Sequence, residues 1–250
     1  MTQLTILTGT TRGLGAVMAA QLAHSGEHLV TLSRVASDTL ATTAKAHGTT
    51  LTQINVDLGE TKALEQAAAQ LKPLLAKHTS VRFIHNAGVV APIVQSQDLT
   101  DLALINQAFQ VNITSAIYLT AFVLAGATQA SDLRVMLISS GAGRNASSGW
   151  GVYCATKAAM DRYAEVAQLD QGKRARIVSM APGMIDTSMQ EKIRATSKND
   201  LPSLDRFLDA HSQQKLATPE GTATRLLKVL ASEAFGTKTI DDVREHNVQV

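Results

Sequence analysis

Leu4-Thr5-Ile6-Leu7-Thr8-Gly9-Thr10-Thr11-Arg12-Gly13-Leu14-Gly15 is the stretch on which the fold turns. Leu4 to Thr8 is short, apolar and β-branched, as a buried strand requires. A glycine-rich turn follows, and the Ala-rich residues 16–24 then read as a helix. Strand, glycine turn and helix in that order is the context of a dinucleotide fingerprint. Glycines let the backbone approach a pyrophosphate, which the positive N-terminus of the helix attracts. The spacing is Gly-x-x-x-Gly-x-Gly, and taken alone it has a plainer reading. Any sharp strand-to-helix turn can require glycine.

Working outward, residues 28–33 form a second strand ending at Ser33-Arg34. About twenty residues past the glycines an NAD site places an acid on the ribose hydroxyls. Here Ser33 and Arg34 stand instead, and Arg12 lies inside the glycine turn. Two guanidiniums pair with a 2′-phosphate that a carboxylate would repel, so the pattern favours NADP(H). Two solvated surface arginines are the bland reading. Asp38 falls in the first turn of the next helix, where an acid complements the dipole.

Residues 51–56 make a third strand. Asp57 after it suits either an adenine amino group or the cap of the next helix. Residues 61–77 are helical, with Pro73 breaking or kinking the end. Residues 81–84 are a fourth strand closed by His85-Asn86-Ala87-Gly88, small enough to lie along a ribose; Asn86 could equally tie two strands together. Residues 99–127 form one long helical pattern with Asn112 inside it, a poor place for that side chain unless it serves a site or faces solvent.

Residues 133–138 are a fifth strand running into Ser139 and Ser140, then a Gly/Ser/Asn loop, then a helix from about Trp150. On that helix Tyr153 and Lys157 share a face. A hydroxyl, a phenol and an ammonium thus converge at one strand end, a set suited to protonating a carbonyl oxygen. Residues 175–180 are a sixth strand, ended by Ala181-Pro182-Gly183, with Thr187 four residues on. Residues 191–214 are polar and interrupted at Pro202. They read as an insertion, either a lid over a pocket or a plain surface helix pair. Residues 219–232 are the last helix, with Pro219 in its first turn, and residues 236–243 an edge strand. Strands and helices alternate without repeat or linker, which predicts one α/β domain over residues 1–250, a seven-stranded doubly wound parallel sheet with helices on both faces.

Composition narrows the function. In 250 residues, 45% hydrophobic, a sizeable core can form. A formal charge of +2 without a Lys/Arg run gives no case for nucleic acid. The single cysteine, Cys154, excludes an internal disulfide. The longest apolar stretch, residues 116–127, is short for a membrane span, and a strand begins at once at Leu4, so a cytoplasmic protein is expected. The seven histidines lack metal-ligand spacing, so no metal is expected.

Fingerprint, Asn-Ala-Gly, Asn112, Ser140, Tyr-x-x-x-Lys and Pro-Gly stand in one order, and in this the chain resembles the short-chain dehydrogenase/reductase family along nearly its whole length. The resemblance implies a Rossmann-type fold. It implies Tyr153 as general acid in reduction, Lys157 lowering its pKa and binding the nicotinamide ribose, Ser140 on the substrate oxygen, and Asn112 anchoring a water that relays protons to Lys157. It implies NADP(H) held by Gly9, Thr11, Arg12, Gly13, Leu14, Gly15, Ser33, Arg34, Asp57, Asn86, Ala87, Gly88, Tyr153, Lys157, Pro182, Gly183, Ile185 and Thr187. It also implies a homodimer or homotetramer through residues 116–127 and 155–167.

Within the family, residues 149–159, 181–190 and 204–207 are similar to sepiapterin reductases and still more to bacterial benzil reductases. That likeness implies reduction of one carbonyl of a vicinal diketone to a hydroxyketone, with a pteridine side-chain ketone as the rival substrate. Trp150, Met184 and Met189, with Ser140 and Tyr153, would line the substrate site; core packing explains the three apolar residues as well. Sepiapterin reductases hold the pterin with a carboxylate near the C-terminus, where this chain has Asp241 and Asp242. Two further readings are an NAD(P)-dependent alcohol dehydrogenase and a non-catalytic NADP-sensing regulator.

Overall fold

A computed structural model of the chain describes residues 3–248. Seven strands form one parallel sheet in the order β3-β2-β1-β4-β5-β6-β7. They are β1 (Gln3–Thr8), β2 (His28–Ser33), β3 (Thr50–Asn55), β4 (Ser80–His85), β5 (Asp132–Ile138), β6 (Arg176–Ala181) and β7 (Ile240–Asp242). The helices are α1 (Gly13–Leu22), α2 (Asp38–Ala46), α3 (Thr61–Leu75), α4 (Leu102–Phe109), α5 (Ser115–Gly126), α6 (Gly151–Gln171), α7 (Ser188–Arg194), α8 (Leu204–Ser212) and α9 (Pro219–Ala231). The order reverses between β1 and β4, so the carboxyl ends of these two strands open the crevice where such sheets take ligands.

Alternation along the strands feeds two cores. Leu4, Ile6, Phe83, Val135 and Leu137 pack with α3, α5 and α6 on one face. Leu7, Ile84, Met136, Ile138 and Met180 pack with α1, α2 and α9 on the other. Arg134 is buried on a strand that otherwise reads as core. Asp132 at 2.9 Å neutralises it, and its Nη1 donates to the carbonyls of Leu230 and Ser232, which closes the C-terminus of α9. A buried charge is tolerated only with such partners.

The structure moves several boundaries. α1 begins at Gly13, inside the expected turn, because the glycines themselves form its first residues. α3 runs through Pro73 and ends two residues later: a proline in the last turn removes one hydrogen bond where the helix is ending anyway. The single long helix is α4 and α5 joined by one π-helical turn, Gln110–Thr114, with Asn112 in it. β7 is only three residues long. Leu102–Gly126 taken together is long and apolar enough to cross a membrane, more than residues 116–127 suggest, but half of its most apolar window is buried inside the fold.

Candidate active site

The glycine turn is a three-way contact. A Cβ on Gly15 would lie 2.1 Å from the Gly9 carbonyl oxygen and 2.4 Å from Asn86 Nδ2, and a Cβ on Gly9 would lie 2.8 Å from Ala87 Cα. Gly9 also adopts φ +73, a left-handed conformation that glycine accepts without strain. The turn therefore presses the end of β1, the start of α1 and the end of β4 together. Asn86 does the tying: its Nδ2 donates to the carbonyls of Thr8 and Gly9, both at 3.2 Å, while Thr8 Oγ1 accepts from the Asn86 and Ala87 N–H groups.

The first turn of α1 has no acidic residue, and no side chain caps it. Its free N–H groups thus face the crevice as a phosphate site needs. Thr187 closes the opposite side, its methyl 3.5 Å from where a Gly13 Cβ would be. These residues fit a dinucleotide.

Arg12 and Arg34 are exposed at the end of this crevice, Arg12 in extended backbone. Ser33 has turned its hydroxyl to the Val35 carbonyl at 2.9 Å. Asp57 accepts from the Gly59 N–H at 2.9 Å, making its own turn, and Glu60 rather than Asp57 stands at the cap of α3. Leu14 and Ile185 point into the α1/α9 core, which leaves only their backbone for a ligand. Gly183 adopts φ +81 and lies against the Arg244 side chain.

At the end of β5, Ser140 hydrogen-bonds the Tyr153 phenol. Lys157, one turn on, sits 5.8 Å from the Tyr153 ring centroid, and its Nζ donates to the Ile138 carbonyl at 2.7 Å. An ammonium has three donors, so this bond leaves two for a ligand. Burial pushes Tyr153 up to about 12, against the pull of the Ser140 hydrogen bond. That is opposite to the lowering expected from Lys157: losing water costs the phenolate more than the Ser140 hydrogen bond returns, and Cys154 adds to the rise. Burial also pushes Lys157 down to about 8, with Asp161 opposing.

Asn112 is fully buried and clasps Val89 in both directions, accepting from its N–H at 2.7 Å and donating to its carbonyl at 2.8 Å. Its other N–H reaches Thr156 Oγ1 at 3.1 Å. Both amide donors are spent, so a water could meet this side chain only at Oδ1. The π turn is what swings Asn112 inward, toward Gly88: a Cβ there would be 3.4 Å from Asn112 Oδ1 and 3.8 Å from Lys157 Nζ. His85 braces the same turn. Burial, and then Lys157, push it down to about 3, so it is neutral, and its Nε2 meets Ser115 Oγ at 3.0 Å.

Trp150 and Tyr153 stack edge-on at 5.5 Å, and Phe207 lies 5.3 Å from Trp150. Ile193, Leu201 and Leu204 complete the cluster, with Met184 and Met189 at its margin. Residues 191–214 thus hold the end of α7 and all of α8, packed by apolar contacts over the Tyr153 ring, the helix-pair reading of this segment. Asp200 anchors them, its carbonyl taking Gln95 Nε2 at 2.9 Å beside Gly149. Asp241 and Asp242 are buried and already paired, Asp241 with His246 at 2.7 Å and Asp242 with Arg244 at 2.6 Å.

Sequence reasoning missed Val89, Thr156 and Asp161. Only Asp161 carried a signal, four residues beyond Lys157 on the same helical face. Among the described residues, no group of three or more His, Cys, Asp or Glu side chains is placed to hold a metal ion.

Residues 3–198 match the family profile described as short chain dehydrogenase. The chain is similar to a benzil reductase ((S)-benzoin forming) of Bacillus cereus, 31% identical over 236 residues that cover 92% of this chain and 94% of that one. It is 31% identical to the sepiapterin reductase of Rattus norvegicus over 245 residues, 92% of each chain. Among solved structures, a short-chain dehydrogenase/reductase from Burkholderia vietnamiensis superposes with a TM-score of 0.67 at 33% identity, covering 99% of this chain and 98% of that one.

Proposed function

This chain belongs to the short-chain dehydrogenase/reductase family and is an oxidoreductase of that kind, and we propose that it is an NADPH-dependent carbonyl reductase acting on vicinal diketones of the benzil type. The observation that carries the reading is the meeting of Ser140, Tyr153 and Lys157 under an apolar roof of Trp150 and Phe207. When bound, the reduced nicotinamide supplies the hydride, and the protein supplies position and a proton. Ser140 donates to the substrate oxygen and orients the carbonyl. Tyr153 gives its phenol proton to that oxygen as it gains charge. A phenol held at about 12 is fully protonated at neutral pH, the state an acid needs. Lys157, protonated below about 8, stands beside the phenolate left behind and binds the nicotinamide ribose with its remaining donors.

The aromatic and methionine lining suits flat aryl groups. A diketone needs no carboxylate anchor, whereas the pteridine reading does, and both C-terminal acids already have partners of their own, Asp242 in Arg244 and Asp241 in His246. The single domain, the cytoplasmic location and a homodimer or homotetramer belong to the same proposal. Its contact would use Phe109, Ile117, Val166 and Leu169, which are exposed. Within residues 116–127 the side chains of Leu119, Val123 and Leu124 instead face the core.

The test is NADPH oxidation with benzil, run beside sepiapterin. Turnover of benzil supports the reading, turnover of sepiapterin alone replaces it with the pteridine one, and turnover of neither removes both substrates. The cofactor choice has its own test. Arg12→Ala with Arg34→Ala is expected to raise KM for NADPH roughly 10- to 100-fold, the worth of one charge-assisted hydrogen bond or two, and to leave KM for NADH nearly unchanged. Equal losses with both cofactors would overturn the assignment of the 2′-phosphate to these arginines.

A further inference from the structure

Asp161 is a carboxylate in the middle of α6, buried beneath the active-site turn and not used by the chemistry above. Its Oδ1 accepts from Ser139 Oγ and from Ser179 Oγ, both at 2.6 Å. Its Oδ2 takes Arg144 Nε at 3.3 Å. Arg144 in turn donates to the carbonyls of Asp241 and Ser179, at 2.8 and 3.4 Å. Ser139 is the residue before Ser140, and Arg144 ends the 3-10 turn that starts after Ser140. Gly143, inside that turn, is pressed onto α6 between the two charged residues: a Cβ there would be 2.8 Å from the Lys157 carbonyl and 3.0 Å from Asp161 Oδ2. One carboxylate therefore grips both ends of the segment that presents Ser140, from one helical turn beyond Lys157.

We propose that Asp161 is a positioning residue: through Ser139 and Arg144 it clamps the turn carrying Ser140 onto α6, and it places a carboxylate one helical turn from Lys157. The proposal rests on the reading of Ser140, Tyr153 and Lys157 as the reacting groups. A buried carboxylate costs several kcal/mol unless its oxygens are satisfied, and here they are satisfied by the groups that need holding. Lys157 is faced by Tyr153 and Asp161 on its own helix and by His85 from β4. Across the turn stands Arg144, bonded to Asp161, with Asp241, Asp242, Glu245 and His246 behind it. His85 is neutral, so Asp161 is the anion that offsets burial at Lys157.

The test replaces the charge and keeps the shape, Asp161→Asn, and follows Lys157 directly. In protein labelled with 13C at lysine Cε, the Lys157 resonance is assigned by its loss in Lys157→Arg, and its titration is read without cofactor or substrate. The midpoint is expected to fall by about one unit in Asp161→Asn, the low end for losing an opposite charge at this range. The kcat for benzil is expected to fall about tenfold or more, with the high-pH limb moving to lower pH and KM for NADPH changing less than kcat. An unchanged Lys157 midpoint overturns the proposal even if the rate falls, since a merely structural role predicts that. A shifted midpoint with an unchanged rate overturns the positioning half.

Ser139→Ala serves if Asp161→Asn does not fold: it keeps the charge, so the rate should drop while the midpoint holds, and a wild-type rate would overturn the clamp. Absence of benzil turnover in the wild type would defeat the substrate reading and leave the titration to decide this one.

Discussion

Tyr153→Phe lowers kcat for carbonyl reduction about 10²- to 10⁴-fold, the range for loss of a positioned general acid, and changes little else. The ring stays: its edge contact with Trp150 at 5.5 Å and its place in the apolar cluster do not use the hydroxyl. What leaves is the phenol oxygen that takes the Ser140 hydroxyl, together with the proton it carries. The Ser140 hydroxyl, whose oxygen still accepts from the Ala142 N–H at 3.2 Å, keeps its proton for a substrate oxygen, so KM for the carbonyl compound should move far less than kcat. The affinity for NADPH, measured by fluorescence, should stay within about threefold, since one hydrogen bond is the most the cofactor could lose there. A variant with a wild-type kcat would take the acid role from Tyr153. A variant that lost cofactor affinity in proportion to rate would instead mark the phenol as a binding group.

Much of this was legible before any coordinates. The doubly wound parallel sheet follows from the alternation of strands and helices and from the glycine turn, because a right-handed crossover leaves few topologies for such a pattern. Ser140, Tyr153 and Lys157 were legible because two share a helical face and the third ends the adjacent strand, both properties of local geometry. Asn112 was half legible. Its polarity inside an apolar helix marked it, but only the π turn shows why it faces inward, and a π turn has no composition of its own.

The direction of the Tyr153 shift was not legible at all. A sequence shows that a cation is four residues away, and it does not show how much water the fold removes. In residues 191–214 the helix pair was legible as one of two readings, but its buried face was not. Their polar residues are the outer faces of α7 and α8, whereas Ile193, Leu201, Leu204 and Phe207, a minority by count, make the contacts that matter. Asp161 is the instructive omission: the i, i+4 relation that singled out Tyr153 and Lys157 continues one more turn to it.

The largest structural effect is expected at Gly15. No alanine fits there: its Cβ would lie 2.1 Å from the Gly9 oxygen, 2.4 Å from Asn86 Nδ2 and 2.9 Å from the Gly9 carbonyl carbon. Two of these three atoms are backbone, and the third is held by its bonds to Thr8 and Gly9. None is the free end of a flexible side chain, so α1 must tilt away or the turn must open. Overpacking of this kind costs about 3 kcal/mol, at the upper end for a tight interior. In a chain of this size that lowers Tm by about 6–12 °C.

The same displacement moves the N–H groups at the start of α1, so Kd for NADPH should rise roughly tenfold or more, as for loss of a hydrogen bond to a charged oxygen. Gly141→Ala is the control, because a Cβ there meets nothing within 4 Å, and its stability should stay within about 0.5 kcal/mol of wild type. A Gly15→Ala protein with unchanged Tm and unchanged affinity would mean that the turn yields freely. The contact of β1, α1 and β4 would then be incidental to holding the dinucleotide.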